Sequence, residues 1–329
     1  MAFSDFATAG LELRSLARRG LVPIVVFVTA AVSCALLYDT LMTSSLRWPL
    51  SSPMGVAVDA AEPADQLEMI LRAADMGNKT VILTTLNDAW AEPGSILDLF
   101  LESFRIGNGT SQLLNHMVFI TMDQKAHERC LSMRGHCFDL NTKGANLSEQ
   151  KDYNTPDYLN MMWQRLDLQR QVLEKGYNFV STFQDTDILW FRNPLPHFYA
   201  EGDFQVSCDR FFGNATDLEN WPSNGFNYVK SNNRTIPFFK YWYSARTKHP
   251  NDHDQTVFNY IKHDAFLREL GLTIRFLDTK YINGLCEIRS RDWNAICTMH
   301  ANCRVGLSSK LSEMRGMLDQ WRKYMSTKH

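Results

Sequence analysis

The 329-residue chain lacks the sequence features of several large protein classes. It has no excess of basic residues, with 34 Lys and Arg against 36 Asp and Glu, and this argues against general nucleic-acid binding, which depends on neutralising phosphates. Its 17 glycines and 11 prolines are too few for a fibrous or low-complexity chain. It has no C-x-x-C pair and no internal repeat, which argues against a cysteine-based zinc site and against a solenoid or propeller. What remains, 45% hydrophobic and 21% charged residues, is the composition of a globular protein.

One long uncharged segment stands near the start of the chain. Residues 21–38 read LVPIVVFVTAAVSCALLY, which is long enough to cross a bilayer core as a helix. Three arginines precede this segment, namely Arg14, Arg18 and Arg19, and the positive-inside rule therefore predicts a cytosolic N-terminus. A cleaved signal peptide is the alternative, although its apolar region is usually shorter and begins closer to the N-terminus. The sequence thus divides into a predicted cytosolic tail (1–20), signal anchor (21–38), stem (39–63) and lumenal domain (64–329).

The cysteines and the glycosylation sequons agree with the predicted lumenal location. Six cysteines follow the apolar segment, and an even number is typical of disulfides in an oxidising compartment. Proximity in sequence favours two short loops and leaves a third pair by elimination: Cys130–Cys137, Cys297–Cys303 and Cys208–Cys286. Free buried thiols are the alternative. Five N-x-[ST] sequons also follow the segment: Asn78, Asn108, Asn146, Asn214 and Asn233.

Apolar periodicity predicts alternating helices and strands in the lumenal part. The first four elements are a helix over Gln66–Asp75, a strand over Lys79–Leu86, a helix from Ile96 to Gly107 and a strand over Met117–Thr121. This alternation predicts an α/β fold of the Rossmann type, with a mostly parallel sheet and helices on both faces.

The stretch from Thr155 onward carries the strongest chemical pattern. Thr155 is a predicted N-cap for a helix that ends near Gly176, and a strand over Tyr177–Phe183 follows. Asp185 and Asp187 come directly after that strand, where ligands bind in open α/β sheets. Two carboxylates at this spacing can hold one Mn²⁺ or Mg²⁺ ion, which would neutralise a departing diphosphate. A solvated surface turn is the alternative for an isolated D-x-D pair.

Further candidates follow from the same reasoning, each with a structural alternative. Thr85 and Asn87 end the first strand and could face a nucleotide, although Asn is also common in turns. Arg165 lies on a flank of its predicted helix and could pair with a phosphate or form a surface salt bridge.

A second group of candidates lies later in the chain. In Asn224-Gly225-Phe226-Asn227 the glycine would let the backbone approach a sugar closely. Asp254 and Gln255 open a predicted helix and could hold sugar hydroxyls, or Asp254 could be an N-cap. A C-terminal stripe beginning at Leu311 predicts a packing helix.

Several of these stretches together resemble one family. The segment FQDTDILWFRNP (183–194) looks like the signature of the plant nucleotide-diphospho-sugar transferases, which include rhamnogalacturonan xylosyltransferases and extensin arabinosyltransferases. Five further stretches resemble that family: 78–91, 158–180, 223–235, 253–259 and 299–307. The resemblance implies a GT-A fold, a divalent cation, a nucleotide-sugar donor, a retaining outcome and residence in the Golgi. Gln184 and Asn193 depart from the family pattern, where Thr and Asp are expected, and the loop before Gly225 reads Pro-Ser-Asn.

The resemblance assigns expected roles to the candidate residues. His300, followed by Gly306 and Lys310, resembles the late histidine ligand of GT-A enzymes, with a structural histidine near a disulfide as the alternative. The expected metal ligands are Asp185, Asp187 and His300, and the expected catalytic residues are Asp185, Asp187 and Asp254. The expected donor-binding residues are Thr85, Asn87, Arg165, Asp185 and Lys310. The expected acceptor-binding residues are Asn224, Gly225, Asn227 and Gln255.

The sequence therefore predicts a metal-dependent glycosyltransferase anchored in the Golgi membrane by one helix, with a cell-wall glycan or glycoprotein as acceptor. Two other functions compete. A haloacid-dehalogenase-type phosphatase also uses D-x-D after a strand, but it requires Thr or Val where Leu189 stands. A non-catalytic lumenal scaffold or lectin-like binder on the same fold is the other alternative.

Overall fold

The computed structural model describes residues 63–140, 155–182, 186–287 and 291–328. The strands are β1 (Thr80–Leu86), β2 (Met117–Thr121), β3 (His136–Asp139), β4 (Asn178–Thr182), β5 (Ile188–Trp190), β6 (Phe204–Arg210), β7 (Trp221–Val229), β8 (Ile274–Phe276), β9 (Ile282–Gly284) and β10 (Thr298–His300). The helices are α1 (Pro63–Ala74), α2 (Asp88–Ala91), α3 (Ile96–Ile106), α4 (Gln124–Ser132), α5 (Pro156–Glu174), α6 (Thr235–Ala245), α7 (Asp254–Ile261), α8 (Ala265–Glu269) and α9 (Leu307–Ser326).

Seven strands form the central sheet in the order β3-β2-β1-β4-β7-β6-β8. Within the described sheet β7 alone runs antiparallel to the other strands. β1, β2 and β4 are short runs of mainly apolar and β-branched residues, and their side chains are buried except at the partly buried Asn178, as strands covered on both faces require. The predicted mostly parallel α/β fold is confirmed.

Helices cover both faces of this sheet. Val81 and Leu83 of β1 point to one face, where they share a core with Leu71 of α1 and Leu166 of α5. Side chains in β2 also alternate between the two faces of the sheet. Phe119 in β2 and Cys130 in α4 lie close together, because a Cβ placed at Gly135 would stand 3.1 Å from both the Phe119 ring and Cys130 Sγ. α4 therefore packs against the opposite face.

The predicted helix and strand boundaries agree closely with the structure. β2 has the predicted bounds, and Thr155 caps α5 by accepting a hydrogen bond from the Tyr158 amide. α9 buries the side chains of Met314, Leu318 and Trp321, which confirms the C-terminal packing stripe.

A second, three-stranded sheet has the order β5-β10-β9. His300 in β10 pairs with Ile188 in β5 on one side and with Gly284 in β9 on the other. The amide of Ala301 also donates to the Asp187 carbonyl at 3.0 Å. This sheet therefore brings the segment after β4 beside the C-terminal part of the chain.

The disulfide pairing differs from the sequence prediction in two of the three pairs. Cys130–Cys137 is confirmed, but Cys286 bonds to Cys303, while Cys208 and Cys297 are free and buried. Parallel pairing of β9 with β10 is the reason, because Cys286 and Cys303 lie just beyond neighbouring strand ends. Extended β10 separates Cys297 from Cys303 despite their closeness in sequence.

The predicted tail and anchor, with the stem up to residue 62, lie outside the described residues. Among the described helices none combines the length and apolarity needed to cross a bilayer. Of the predicted glycosylation sites Asn146 is also outside the described part, and the other four asparagines are exposed.

We predict that mass spectrometry without reduction will find Cys130–Cys137 and Cys286–Cys303 peptides. In the native protein Cys208 and Cys297 should resist alkylation, because both are buried and burial raises the pKa of the Cys297 thiol to about 11. Denaturation without reductant should then make both thiols reactive. A Cys297–Cys303 peptide as the main species would contradict the structure.

Candidate active site

A buried carboxylate stands between the carboxyl end of β4 and the start of β5. Asp187 is fully buried, and its Oδ2 accepts a hydrogen bond from Lys310 Nζ at 2.7 Å. Its Oδ1 lies 3.3 Å from His300 Nε2 and has no hydrogen bond of good geometry among the described residues. The predicted partner of Asp187 in the D-x-D pair, Asp185, lies outside the described residues.

The pKa of Asp187 is set by burial and by two neighbouring side chains, Lys310 and His300. Burial is the largest influence and by itself would raise the pKa of this carboxyl. The charges of Lys310 and then His300 outweigh it, and they hold the pKa of Asp187 well below its usual range. Asp187 is therefore a carboxylate at neutral pH, with one oxygen paired to Lys310 and the other directed toward His300.

Lys310 reaches this carboxylate from the first turn of α9. The residue before the helix, Gly306, has a positive φ of 84° and no side chain that could cap the first turn. Lys310 Nζ also lies 5.1 Å from the centre of the Trp90 ring. Trp90 belongs to α2, so Lys310 joins the turn after β1 to Asp187.

Gly225 makes room for His300. A Cβ at this glycine would stand 2.6 Å from His300 Nδ1, too close for any other residue without displacing the imidazole. The close approach that the sequence led us to expect for a sugar is thus made by a histidine ring. Gly225 lies within β7, so the central sheet fixes the position of His300.

A second polar cluster begins one residue before Gly225. Asn224 Nδ2 donates to Asp254 Oδ2 at 3.0 Å, and the Asn224 amide donates to Gln255 Oε1 at 3.2 Å. Gln255 Nε2 in turn donates to Asp209 Oδ2 at 3.4 Å. Asn302 Nδ2 donates to the other oxygen of Asp209 at 2.7 Å. Adjacent residues of β7 therefore connect this cluster to the Asp187 site.

Arg165 lies on the side of the second cluster. It is 6% exposed, so the predicted flank position and the surface salt bridge are both wrong. The reason is that α5 is buried on several sides, and Arg165 lines a narrow cavity with Asn224, Asn227 and Asp254. The buried Oδ1 atoms of Asn224 and Asn227 have no hydrogen-bond partner within the part of the chain that is described. Such buried acceptors normally bond to water or a ligand.

Thr85 and Asn87, the two candidates at the end of β1, lie in ordinary structural positions. Thr85 is buried within the strand opposite Ile120 of β2. Asn87 accepts a hydrogen bond from the Trp90 amide at 3.1 Å and so caps α2, which is the turn role considered as its alternative. Asn87 thus positions the helix that carries Trp90.

Three residues of the site were not predicted from the sequence: Trp90, Asp209 and Asn302. Trp90 and Asn302 lie in two of the stretches that carry the family resemblance, and Asn302 follows His300 by two positions. Asp209 lies near the end of β6, a strand that was not identified beforehand. Its position at a strand end was the available signal.

The predicted metal ligands are partly assembled. The described residues contain no group of three or more His, Cys, Asp or Glu side chains able to hold a metal ion. Asp187 and His300 nevertheless face each other at 3.3 Å. Two neighbouring ligands of an octahedral ion are about 3 Å apart when each bond is about 2.1 Å. A carboxylate oxygen and an imidazole nitrogen also form a donor set that Mn²⁺ accepts.

Comparison with known proteins places this region in one family. Residues 112–314 match the family model described as nucleotide-diphospho-sugar transferase. Two uncharacterized Arabidopsis thaliana proteins are similar, one 44% identical over 80% of this chain and 70% of its own length. The other is 36% identical over 80% of each chain. The UDP-galactose:fucoside alpha-3-galactosyltransferase of Dictyostelium discoideum is 30% identical over 42% of this chain and 24% of its own.

Two solved glycosyltransferase structures are distantly similar, each at 11% identity. Mouse xyloside xylosyltransferase 1 has a TM-score of 0.42 and covers 68% of this chain and 98% of its own. A glycosyltransferase involved in glycosylation of the major capsid of PBCV-1 has a TM-score of 0.41, and the match covers 72% of this chain and 98% of that protein. The family match spans more than half of the chain and includes Asp187, Asp254, His300 and Lys310. The chain therefore belongs to the nucleotide-diphospho-sugar transferase family and is a glycosyltransferase.

Proposed function

We propose that this glycosyltransferase moves a pentose or hexose from a nucleotide-diphosphate sugar to a glycan or glycoprotein acceptor, with retention at the anomeric carbon and with Mn²⁺ or Mg²⁺ bound. The observation that carries the proposal is the buried Asp187 carboxylate, held between Lys310 and His300 beyond the carboxyl end of β4. This is the edge at which open α/β sheets bind ligands.

The donor diphosphate would lie beside Lys310. The partial positive charge at the N-terminus of the 20-residue helix α9 favours an anion there. The ammonium of Lys310 adds a full charge in the first turn of the same helix. Both groups bind phosphate by charge and do not distinguish one sugar from another, so Lys310 is proposed as a donor-binding residue only.

The cation would be held by Asp187 Oδ1 and His300 Nε2, together with Asp185. Asp187 fits this role because its Oδ1 has no well-formed hydrogen bond and its carboxyl is ionised. When bound, the ion supplies a Lewis acid that offsets the negative charge of the departing diphosphate. The protein orients both ligands through β5, β10 and Gly225.

The sugar would occupy the side of the second cluster. Asn224, Asn227 and Gln255 present amide groups that can exchange hydrogen bonds with hydroxyls, and two of their oxygens are buried acceptors without a described partner. Asp254 adds a buried carboxylate beside Asn224. We assign Asp254 to stabilising positive charge on the sugar ring as the diphosphate leaves. Thr85 and Arg165 remain candidate donor contacts.

The proposed setting is the Golgi lumen, with residues 21–38 as a type II anchor and a plant cell-wall polymer as acceptor. Two disulfides and four exposed sequon asparagines support an oxidising, glycosylating compartment. The family membership removes the phosphatase alternative. The intact trio Asp187, His300 and Lys310 argues against a non-catalytic binder, which would have no need for a buried ion pair at this edge.

We predict that Asp187→Asn lowers metal-dependent turnover by at least about a hundredfold, because the amide keeps the shape but loses the charge. The full-length chain would be assayed with a panel of UDP- and GDP-sugars for release of the nucleoside diphosphate, with and without Mn²⁺. Asp319→Asn is the matched control, since that carboxylate is 73% exposed on the far part of α9. His300→Ala should be milder and should recover partly at high Mn²⁺.

Near-normal, metal-dependent turnover by Asp187→Asn would reject the role of this carboxylate. A thermal unfolding transition that is lost in Asp187→Asn but kept in Asp319→Asn would show that turnover is lost through unfolding and not through the missing cation ligand.

We also predict that Gly225→Ala raises the Mn²⁺ concentration needed for half-maximal turnover about tenfold or more, because the new methyl group displaces His300. Gly316→Ala is the matched control: it adds the same methyl group within α9, where no atom lies within 4 Å, and alanine favours a helix. An unchanged Mn²⁺ requirement in Gly225→Ala, with a native thermal unfolding profile, would contradict the assignment of His300.

A further inference from the structure

Two large aromatic rings are exposed side by side near the second cluster. Trp221, the first residue of β7, is 56% exposed, and Phe212 is 47% exposed. Their ring centres are 6.5 Å apart in an edge-to-face arrangement. Rings of this size are usually largely buried, and a contiguous exposed pair is typical of a ligand-binding groove.

The rings are held in a fixed arrangement. The Arg210 guanidinium lies 5.4 Å from the centre of Phe212 and 5.7 Å from that of Trp221. The amide of Phe212 donates to Asn220 Oδ1 at 2.7 Å. Asn220 is fully buried, and its carbonyl accepts a hydrogen bond from Lys262 Nζ. The aromatic pair is therefore a preformed surface, and preorganisation lowers the cost of binding.

These rings line a groove of about 520 Å³. Its other walls include Asp209, Arg210, Glu287 and the Cys286–Cys303 disulfide. Asp209 is also the residue that accepts hydrogen bonds from Gln255 and Asn302 in the second cluster. Asp209 thus links one wall of the groove to the second cluster by hydrogen bonds.

We propose that this groove, which we call the Trp221 groove, binds a sugar ring of an oligosaccharide acceptor. The inference rests on the proposed function and adds the acceptor class. A pyranose has an apolar face of C–H groups and a rim of hydroxyls. That chemistry matches an aromatic face bordered by the charged groups Arg210, Asp209 and Glu287.

The position of Trp221 along β7 indicates which sugar it would bind. Trp221 precedes Gly225 by four residues, and β7 is irregular between them, because the single step from Val206 to Ser207 in β6 lies opposite the four steps from Asn227 to Ser223. Trp221 lines the Trp221 groove, whereas Asn224, the neighbour of Gly225, lines the separate narrow cavity beside Arg165. The ring at Trp221 would therefore be a further unit of the acceptor chain, and the accepting sugar would lie closer to Gly225. We accordingly expect an acceptor of more than one sugar unit.

The test compares tetrasaccharides with single sugars on the full-length protein. The probes are xylotetraose, cellotetraose, β-1,4-galactotetraose and a rhamnogalacturonan tetrasaccharide, with their component monosaccharides, and binding is followed by saturation-transfer NMR without donor or metal. At least one tetrasaccharide should bind more tightly than its monosaccharides. Trp221→Ala should weaken that tetrasaccharide about tenfold and leave monosaccharide binding within about twofold.

Two further variants separate stacking from folding. Trp221→Phe keeps an aromatic face and should restore part of the affinity, while Tyr260→Ala removes a ring that is 49% exposed on α7 and should change nothing. Thermal unfolding of all variants should match the wild type, because Trp221 is mostly exposed.

Four results would overturn the proposal: no tetrasaccharide bound by the wild type, affinity unaffected by Trp221→Ala, equal weakening of single sugars, or a wild-type dimer that Trp221→Ala dissociates in sedimentation experiments. The last result would show that a second copy covers the groove. A different result would reject the proposed transfer reaction alone. If the wild type turned over no nucleotide-sugar but still bound a tetrasaccharide through Trp221, the groove proposal would stand and the proposed reaction would not.

Discussion

The architecture of the site depends on one interaction, the ion pair between buried Asp187 and Lys310. A buried charge is costly unless it is paired, and breaking such a pair typically costs about 3–5 kcal/mol. The partners lie 123 positions apart in sequence, so the pair forms only when several other elements are in place. β5 must pair with β10 to present His300, and α9 must pack so that Lys310 reaches inward. Trp321 anchors that helix by donating a hydrogen bond to the Ile106 carbonyl.

β7 joins the two halves of the site. Gly225 supports the His300 ring, while its neighbour Asn224 bonds to Asp254 and Gln255. A shift of this strand would therefore disturb the proposed cation ligands and the proposed sugar contacts together. The same strand begins at Trp221, and Asp209 connects the groove there to Gln255. The proposed sites for the cation, the reacting sugar and the acceptor chain therefore all adjoin β7, and such positioning is how a transferase can orient two substrates.

The sequence predicted the features that depend on local pattern. β1, β2 and β4 are short runs of mainly apolar and β-branched residues, and Thr155 and Pro156 mark the start of α5. Asp187 could be identified because it follows a strand. The features that it did not predict depend on long-range packing. Arg165 is buried by neighbours of α5 that periodicity does not reveal, and Cys303 reaches Cys286 through the pairing of β9 with β10. Asp209, Trp90 and Asn302 join the site through contacts with distant parts of the chain.

In the proposed mechanism Asp187 and His300 hold the cation, and Lys310 binds the donor diphosphate. Crystals of the protein grown with Mn²⁺ and UDP, measured at the manganese absorption edge, test it most directly. We expect an anomalous peak in contact with Asp187 Oδ1 and His300 Nε2, with the diphosphate beside Lys310 at the start of α9. A manganese peak elsewhere, or a diphosphate bound away from Lys310 while Asp187 keeps its ion pair, would contradict it.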